Sequence, residues 1–335
     1  CLVGSEMCIR DRFQNPEVND FLFEKKEGQY VAIQSNQLLI KICLLAKQLQ
    51  SLGVSEGDRV VIMSGNCPEW VISDLAIMSI GAIVVPFYPN LCQKEIAFQL
   101  QDSKPACIIV ETEDQITQVK EAVQGVFNAM PVIHFCDLFR GSESKETVLS
   151  LHAVKDVFND KVSALSFEEA ASFIRDKEAR LTKDQVASII YTSGTTGVSK
   201  GVVLTHANFI ANVQDVLEIW DIRSSDSVLS FLPLSHVFER TVGYYVIMAA
   251  GGKIYYADSI LSVSEDIQLA SPTILISVPR LFEKVYAKIQ DAMTPLKRLL
   301  IQWALSIGDK LYIQKKQSLS LTIQSRISNI LVSNK

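Results

Sequence analysis

The chain has 335 residues, 48% of them hydrophobic and 21% charged, with 32 basic against 37 acidic side chains and a net charge of -5. That length fills about two domains or two lobes of one larger unit, and the composition excludes a disordered chain. The mild negative charge leaves no basic footprint for nucleic acid, and no apolar stretch reaches bilayer-spanning length.

The first segment, 1–12, has neither an initiator methionine nor the basic, apolar and small order of a signal peptide. It resembles translated sequencing-adapter read-through and is set aside from fold reasoning. Residues 20–50 read as an irregular approach to a helix, with Leu38, Ile42, Leu45 and Leu49 at helical spacing. A strand over 58–64 follows. Asn66-Cys67-Pro68 then opens an apolar helix over 69–80, and Gly81 breaks it before a strand over 82–86. Helices over 93–101 and 116–123 alternate with strands over 106–110 and 131–135. Apolar strands covered by helices through crossover connections predict an α/β fold with mostly parallel sheets. Residues 140–183 carry little pattern and read as a peripheral excursion or linker.

The sheet resumes with Val186-Ala187-Ser188-Ile189-Ile190, which runs into Tyr191-Thr192-Ser193-Gly194-Thr195-Thr196-Gly197-Val198-Ser199-Lys200-Gly201. Five Ser or Thr hydroxyls and three glycines surround one lysine there. Such a loop turns tightly and brings amide hydrogens and hydroxyls together on phosphate oxygens, with Lys200 adding charge. A Walker phosphate loop fails, because Gly201 follows the lysine. Thr205-His206-Ala207-Asn208 reads as a capped helix start, so the loop is expected to join strand to helix where anions are favoured. A helix over 207–220 and a strand over 228–232 then deliver Pro233-Leu234-Ser235-His236-Val237-Phe238-Glu239-Arg240. Further predicted elements are an apolar helix over 243–252, strands over 253–256 and 273–277, helices over 264–270 and 279–289, and a long helical stretch over 293–312. The division read from this order is 20–140 and 185–335 as two α/β portions, with 141–184 between them.

Ligands in open α/β sheets collect beyond the carboxyl ends of strands, and both loops emerge there. They are expected to surround a phosphate with Lys200 and hydroxyls on one side and His236 with Arg240 on the other. The plainer readings are that His236 bonds its own turn, that Glu239 and Arg240 form a surface pair, and that Ser235 caps a helix. Seven cysteines without paired spacing read as reduced thiols of an intracellular, cytoplasmic protein, and with four histidines they form no metal pattern.

The glycine-rich stretch resembles the phosphate-loop signature of the adenylate-forming superfamily of acyl-CoA synthetases, luciferases and adenylation domains, Tyr-Thr-Ser-Gly-Thr-Thr-Gly-x-Pro-Lys-Gly. It departs only at Ser199, where that signature has proline. The stretch Leu232-Pro233-Leu234-Ser235-His236-Val237-Phe238-Glu239-Arg240 is similar to the sequence of long-chain fatty acyl-CoA synthetases, and so are 58–66, 77–86 and 276–284. The resemblance implies ATP-dependent activation of a long-chain fatty acid to an acyl-adenylate, with magnesium, and then transfer to CoA. It implies that Thr192, Ser193, Gly194, Thr195, Thr196 and Gly197 wrap the ATP phosphates and that Lys200 assists them. It places Thr192 toward magnesium, His236 near the carboxylate or adenylate, and Phe238 and Val242 on the acyl tunnel wall. The family's adenine and ribose motifs and its mobile C-terminal domain with a catalytic lysine are not found in these residues. The chain is therefore expected to be a fragment, inactive by itself. A long acyl substrate brings an expectation of peripheral membrane contact. The rival expectations are a ligase for another carboxylic acid and a non-catalytic nucleotide-binding fragment.

Overall fold

A computed structural model describes residues 21–123, 132–134, 165–192, 199–291, 294 and 306–308. The chain up to Ile276 forms one compact unit, and Ser277 onward belongs to a second. Within the first unit there are two sheets. The larger has strand order β6-β5-β3-β4-β7-β8, built from β3 (Arg59–Met63), β4 (Ile83–Phe87), β5 (Cys107–Val110), β6 (Val132–His134), β7 (Val186–Thr192) and β8 (Lys200–Thr205). Its first five strands in that order are parallel, and β8 alone runs antiparallel, on β7. The smaller sheet has order β2-β1-β10-β9, from β1 (Leu22–Lys26), β2 (Gln29–Ile33), β9 (Ser227–Ser230) and β10 (Lys253–Tyr256).

Side chains alternate along each strand and divide the larger sheet into two buried faces. Val61, Met63, Val85, Phe87, Ile108, Val110 and Tyr191 face one way, onto helices α3 (Gln93–Ser103) and α4 (Glu113–Val123). Val60, Ile62, Val84, Ile109, Ala187 and Ile190 face the other. They share a core with Leu22, Val228, Ile254 and Tyr256 of the smaller sheet and with α1 (Ser35–Ser51), α2 (Pro68–Ser79), α5 (Phe167–Glu178) and α6 (His206–Ile219). Strands buried on both faces read as continuous apolar runs, which is how they are written in this sequence. Every residue of α2 is buried, and Pro68 opens it where its missing N–H is not needed.

Four differences from the predicted elements have local causes. The approach before α1 is a hairpin, not irregular: Glu27 and Gly28 both take positive φ, 49° and 78°, as a two-residue turn between right-twisted strands requires. The glycine-rich loop returns into β8 before α6 begins, because Val202, Val203 and Leu204 pair with β7. Residues 273–277 contribute one bridge, Ile274 to Val228, and no extended strand. The apolar stretch after the second loop is a π-helix (Glu239–Val246) continued by α7 (Ile247–Ala250) and ended by Gly251 at φ 83°.

The sheets also ignore the division at residue 185. The larger takes β7 and β8 from beyond it, and the smaller takes β1 and β2 from before it. Helix α8 (Val263–Ala270) lies in the first unit and α9 (Pro279–Asp291) in the second. Among the described residues no helix is long and apolar enough to cross a membrane.

Candidate functional site

Thr192 ends β7 on the same edge of the larger sheet where Met63, Phe87 and Val110 end β3, β4 and β5. It is exposed, and its partner in register across the hairpin is Lys200, also exposed. A hydroxyl and an ammonium thus flank the mouth of the loop. Ser193, Gly194, Thr195, Thr196 and Gly197 lie outside the described residues. Tyr191, just before the mouth, is held firmly: its hydroxyl donates to Asp102 at 2.6 Å, and its ring meets the Phe87 ring edge-on at 6.3 Å.

The expected help from a helix N-terminus at this loop does not materialise. Thr205 Oγ1 accepts from Asn208 N, His206 N donates to Gln185 O and Ala207 N donates to Lys183 O. The first amides of α6 are therefore satisfied within the protein, six strand residues away from the loop. Positive charge at the loop comes from Lys200.

The second loop leaves β9 at Ser230. Asn66, just after β3, reaches across to it: Nδ2 donates to Ser230 Oγ at 3.0 Å and Leu232 O at 2.6 Å, and Oδ1 accepts from Leu234 N at 2.9 Å. Beside it, Gly65 N donates to Glu111, which follows β5, at 2.8 Å. Loops at the carboxyl ends of β3, β5 and β9 are thereby bonded to one another.

His236 is exposed, and its Nδ1 accepts from Phe238 N at 3.1 Å. It does bond its own turn, as the plainer reading had it. An accepting Nδ1 puts the ring proton on Nε2, so the turn leaves the imidazole a free-standing donor. Phe238 is 40% exposed, whereas Val242 is half-buried and packed on the core between the sheets.

Glu239 and Arg240 are not a surface pair, and Arg240 does not line the phosphate side; both are buried. Glu239 accepts from Ser230 Oγ at 2.7 Å, and burial pushes its carboxyl up to about 8. Arg240 pairs with Asp74 of α2. An aspartate in the middle of the mostly apolar run of α2 was the available signal, since a buried carboxylate needs a partner. Ser235 is no cap either: it is buried with its Oγ unpartnered.

The exposed hydroxyl and ammonium at the hairpin mouth suit a phosphate. Among the described residues no three His, Cys, Asp or Glu side chains gather to hold a metal. A magnesium ion here would arrive on phosphate oxygens, with Thr192 as the nearby hydroxyl.

Similarity to known proteins extends over most of the chain. The model of the family described as AMP-binding enzyme matches residues 17–328. Long-chain-fatty-acid–CoA ligase 5 of Mus musculus is 32% identical over 276 residues, 78% of this chain and 38% of that protein. Long-chain-fatty-acid–CoA ligase FadD15 of Mycobacterium bovis is 30% identical over 265 residues, 78% of this chain and 41% of that one. The chain thus spans well under half the length of these relatives. Among solved structures, ATP-bound MatB from Rhodopseudomonas palustris matches with TM-score 0.61 over 84% of this chain and 51% of that one, at 19% identity. The N-terminal domain of FACL13 from Mycobacterium tuberculosis matches with TM-score 0.63 over 82% and 63%, at 22% identity. Two α/β sheets of this kind are the adenylate-forming fold, and the chain belongs to the AMP-binding enzyme family.

Proposed function

We propose that the protein carrying this chain is an ATP-dependent, AMP-forming long-chain fatty acid:CoA ligase. The observation that carries the proposal is the pairing of Thr192 with Lys200 at the exposed end of β7, beyond which substrates of open α/β sheets collect. The names of the relatives at 30–32% identity support the choice of a long acyl chain.

In this reading a carboxylate oxygen attacks the α-phosphorus of ATP, the bond to pyrophosphate breaks, and acyl-adenylate forms. The CoA thiolate then attacks the acyl carbonyl, and AMP leaves with the bonding pair. Two anions must be held together in the first step, so positive charge and preset donors matter most there. Lys200 opposes the charge that builds on the phosphates. Thr192 and the residues 193–197 supply hydroxyl and amide donors, and Thr192 would offer its hydroxyl to a magnesium ion, which would neutralise part of the phosphate charge. The Nε2–H of His236 donates to the carboxylate or adenylate, and Phe238 and Val242 contact the acyl chain.

The test is pyrophosphate release and hydroxamate formation by the full-length protein across a carboxylic acid series. A maximum at long chains is expected, and Lys200→Met should lower kcat by about 100-fold, the loss typical of removing one charge-stabilising donor. A maximum at acetate or an amino acid would replace the substrate assignment. An unchanged rate in the Lys200→Met protein would remove the lysine from the mechanism.

A further inference from the structure

Arg240 is fully buried, yet every polar nitrogen of its side chain is occupied. Nη2 donates to Asp74 Oδ1, Nη1 donates to Ser188 Oγ at 2.7 Å, and Nε donates to Tyr245 Oη at 3.0 Å. The acceptors are themselves fixed: Tyr245 Oη donates to Asp74 Oδ2 at 2.7 Å, and Ser188 Oγ donates to Val84 O at 2.7 Å. The rings of Trp70, Phe209 and Tyr245 surround the guanidinium at 5.4, 5.2 and 5.6 Å. The main chain of the same residue holds the second loop, Arg240 N donating to His236 O at 3.1 Å.

These contacts join two places that chemistry must keep in register. Ser188 lies on β7, the strand that ends at Thr192, and His236 lies on the loop from the other sheet. We infer that Arg240 is a positioning residue, which with Asp74 and Ser188 sets the separation between the phosphate-binding hairpin and the loop of His236. The inference rests on the ligase reading given above. A buried ion pair is seldom the most stabilising way to fill a core, since apolar residues of like volume often do as well. A fork of fixed donors, by contrast, specifies distance and angle. Misplacing reacting groups by an ångström is enough to lower a rate by about 100-fold.

The experiment compares wild type, Ser188→Ala and the double variant Asp74→Leu with Arg240→Met in the full-length protein. Thermal melting, kcat, KM for ATP and backbone hydrogen exchange are measured on each. The double variant is expected to fold but to melt about 2–6 °C below wild type, because the buried Tyr245 hydroxyl loses Arg240 and Asp74 as partners, while its kcat falls roughly 100-fold. Ser188→Ala, which leaves the ion pair intact, is expected to lower kcat about tenfold, with KM for ATP within about threefold of wild type. In both variants exchange should accelerate together in β8 and in residues 232–238. A double variant that folds and keeps the parental kcat overturns the inference. Where that variant does not fold, Ser188→Ala decides, and unchanged kcat with unchanged exchange overturns it. Wild type that activates no carboxylic acid defeats the ligase reading instead, and the exchange measurement still judges the positioning claim.

Discussion

Glu239 is a carboxylic acid placed where water scarcely reaches, bonded by Ser230 and pushed up to about 8 by burial. In the unfolded chain the same group titrates near 4.5. Below that value both states hold the proton, and folding has no penalty. As pH rises from 4.5 toward 8 the unfolded chain gives up its proton while the folded chain keeps it, so stability is lost across that window. Glu239→Gln keeps the shape and has no proton to lose. The difference in melting temperature between this variant and wild type should therefore grow by roughly 5 °C or more between pH 5 and 8. A difference that does not change with pH would mean that the carboxyl is ionised in the fold. His206 runs the opposite way: burial lowers it to about 3, so its contribution is present above 6.5 and is lost as acid protonates the unfolded chain.

The π-helix is the element on which this chemistry turns. Its wider i→i+5 repeat stacks residues five apart, which brings Tyr245 Oη over Arg240 Nε. The same winding packs Gly243 against Glu239: a Cβ on Gly243 would sit 2.5 Å from Glu239 Oε1. Gly243→Ala is expected to destabilise the protein by roughly 1–3 kcal/mol, the cost of overpacking a filled core. In a Glu239→Ala background the clash is gone, so the cost should fall in a denaturant titration. Equal cost in both backgrounds would assign the glycine another role. The β7–β8 hairpin is the second element that matters, because its antiparallel return sets Lys200 across from Thr192.

On the scale of the whole molecule, the two sheets are tied at their carboxyl ends by Asn66, which spans from β3 to the loop after β9. Asn66→Ala breaks three hydrogen bonds, two of them to main-chain groups of that loop. Each net bond contributes about 1 kcal/mol, so the expected loss is roughly 1–3 kcal/mol, together with a raised KM for the carboxylic acid. Unchanged KM and stability would show that the loop is set without it.

The amino-acid sequence alone determined the parallel α/β layout, because strands buried on both faces must be written as apolar runs and Gly81 and Pro68 punctuate the helices between them. It also singled out Thr192 and Lys200 as candidates for holding phosphate, since hydroxyls, glycines and a lysine packed into one loop are a local pattern. What local pattern does not contain is partnership at a distance. Only the tertiary structure decided that Arg240 turns inward to Asp74, 166 positions away, that Asn66 holds Leu234, 168 away, and that β1 pairs with β10. A charge next to a loop reads the same in sequence whether it faces water or core; the environment that burial creates, and the partner that burial demands, exist only once the chain has folded.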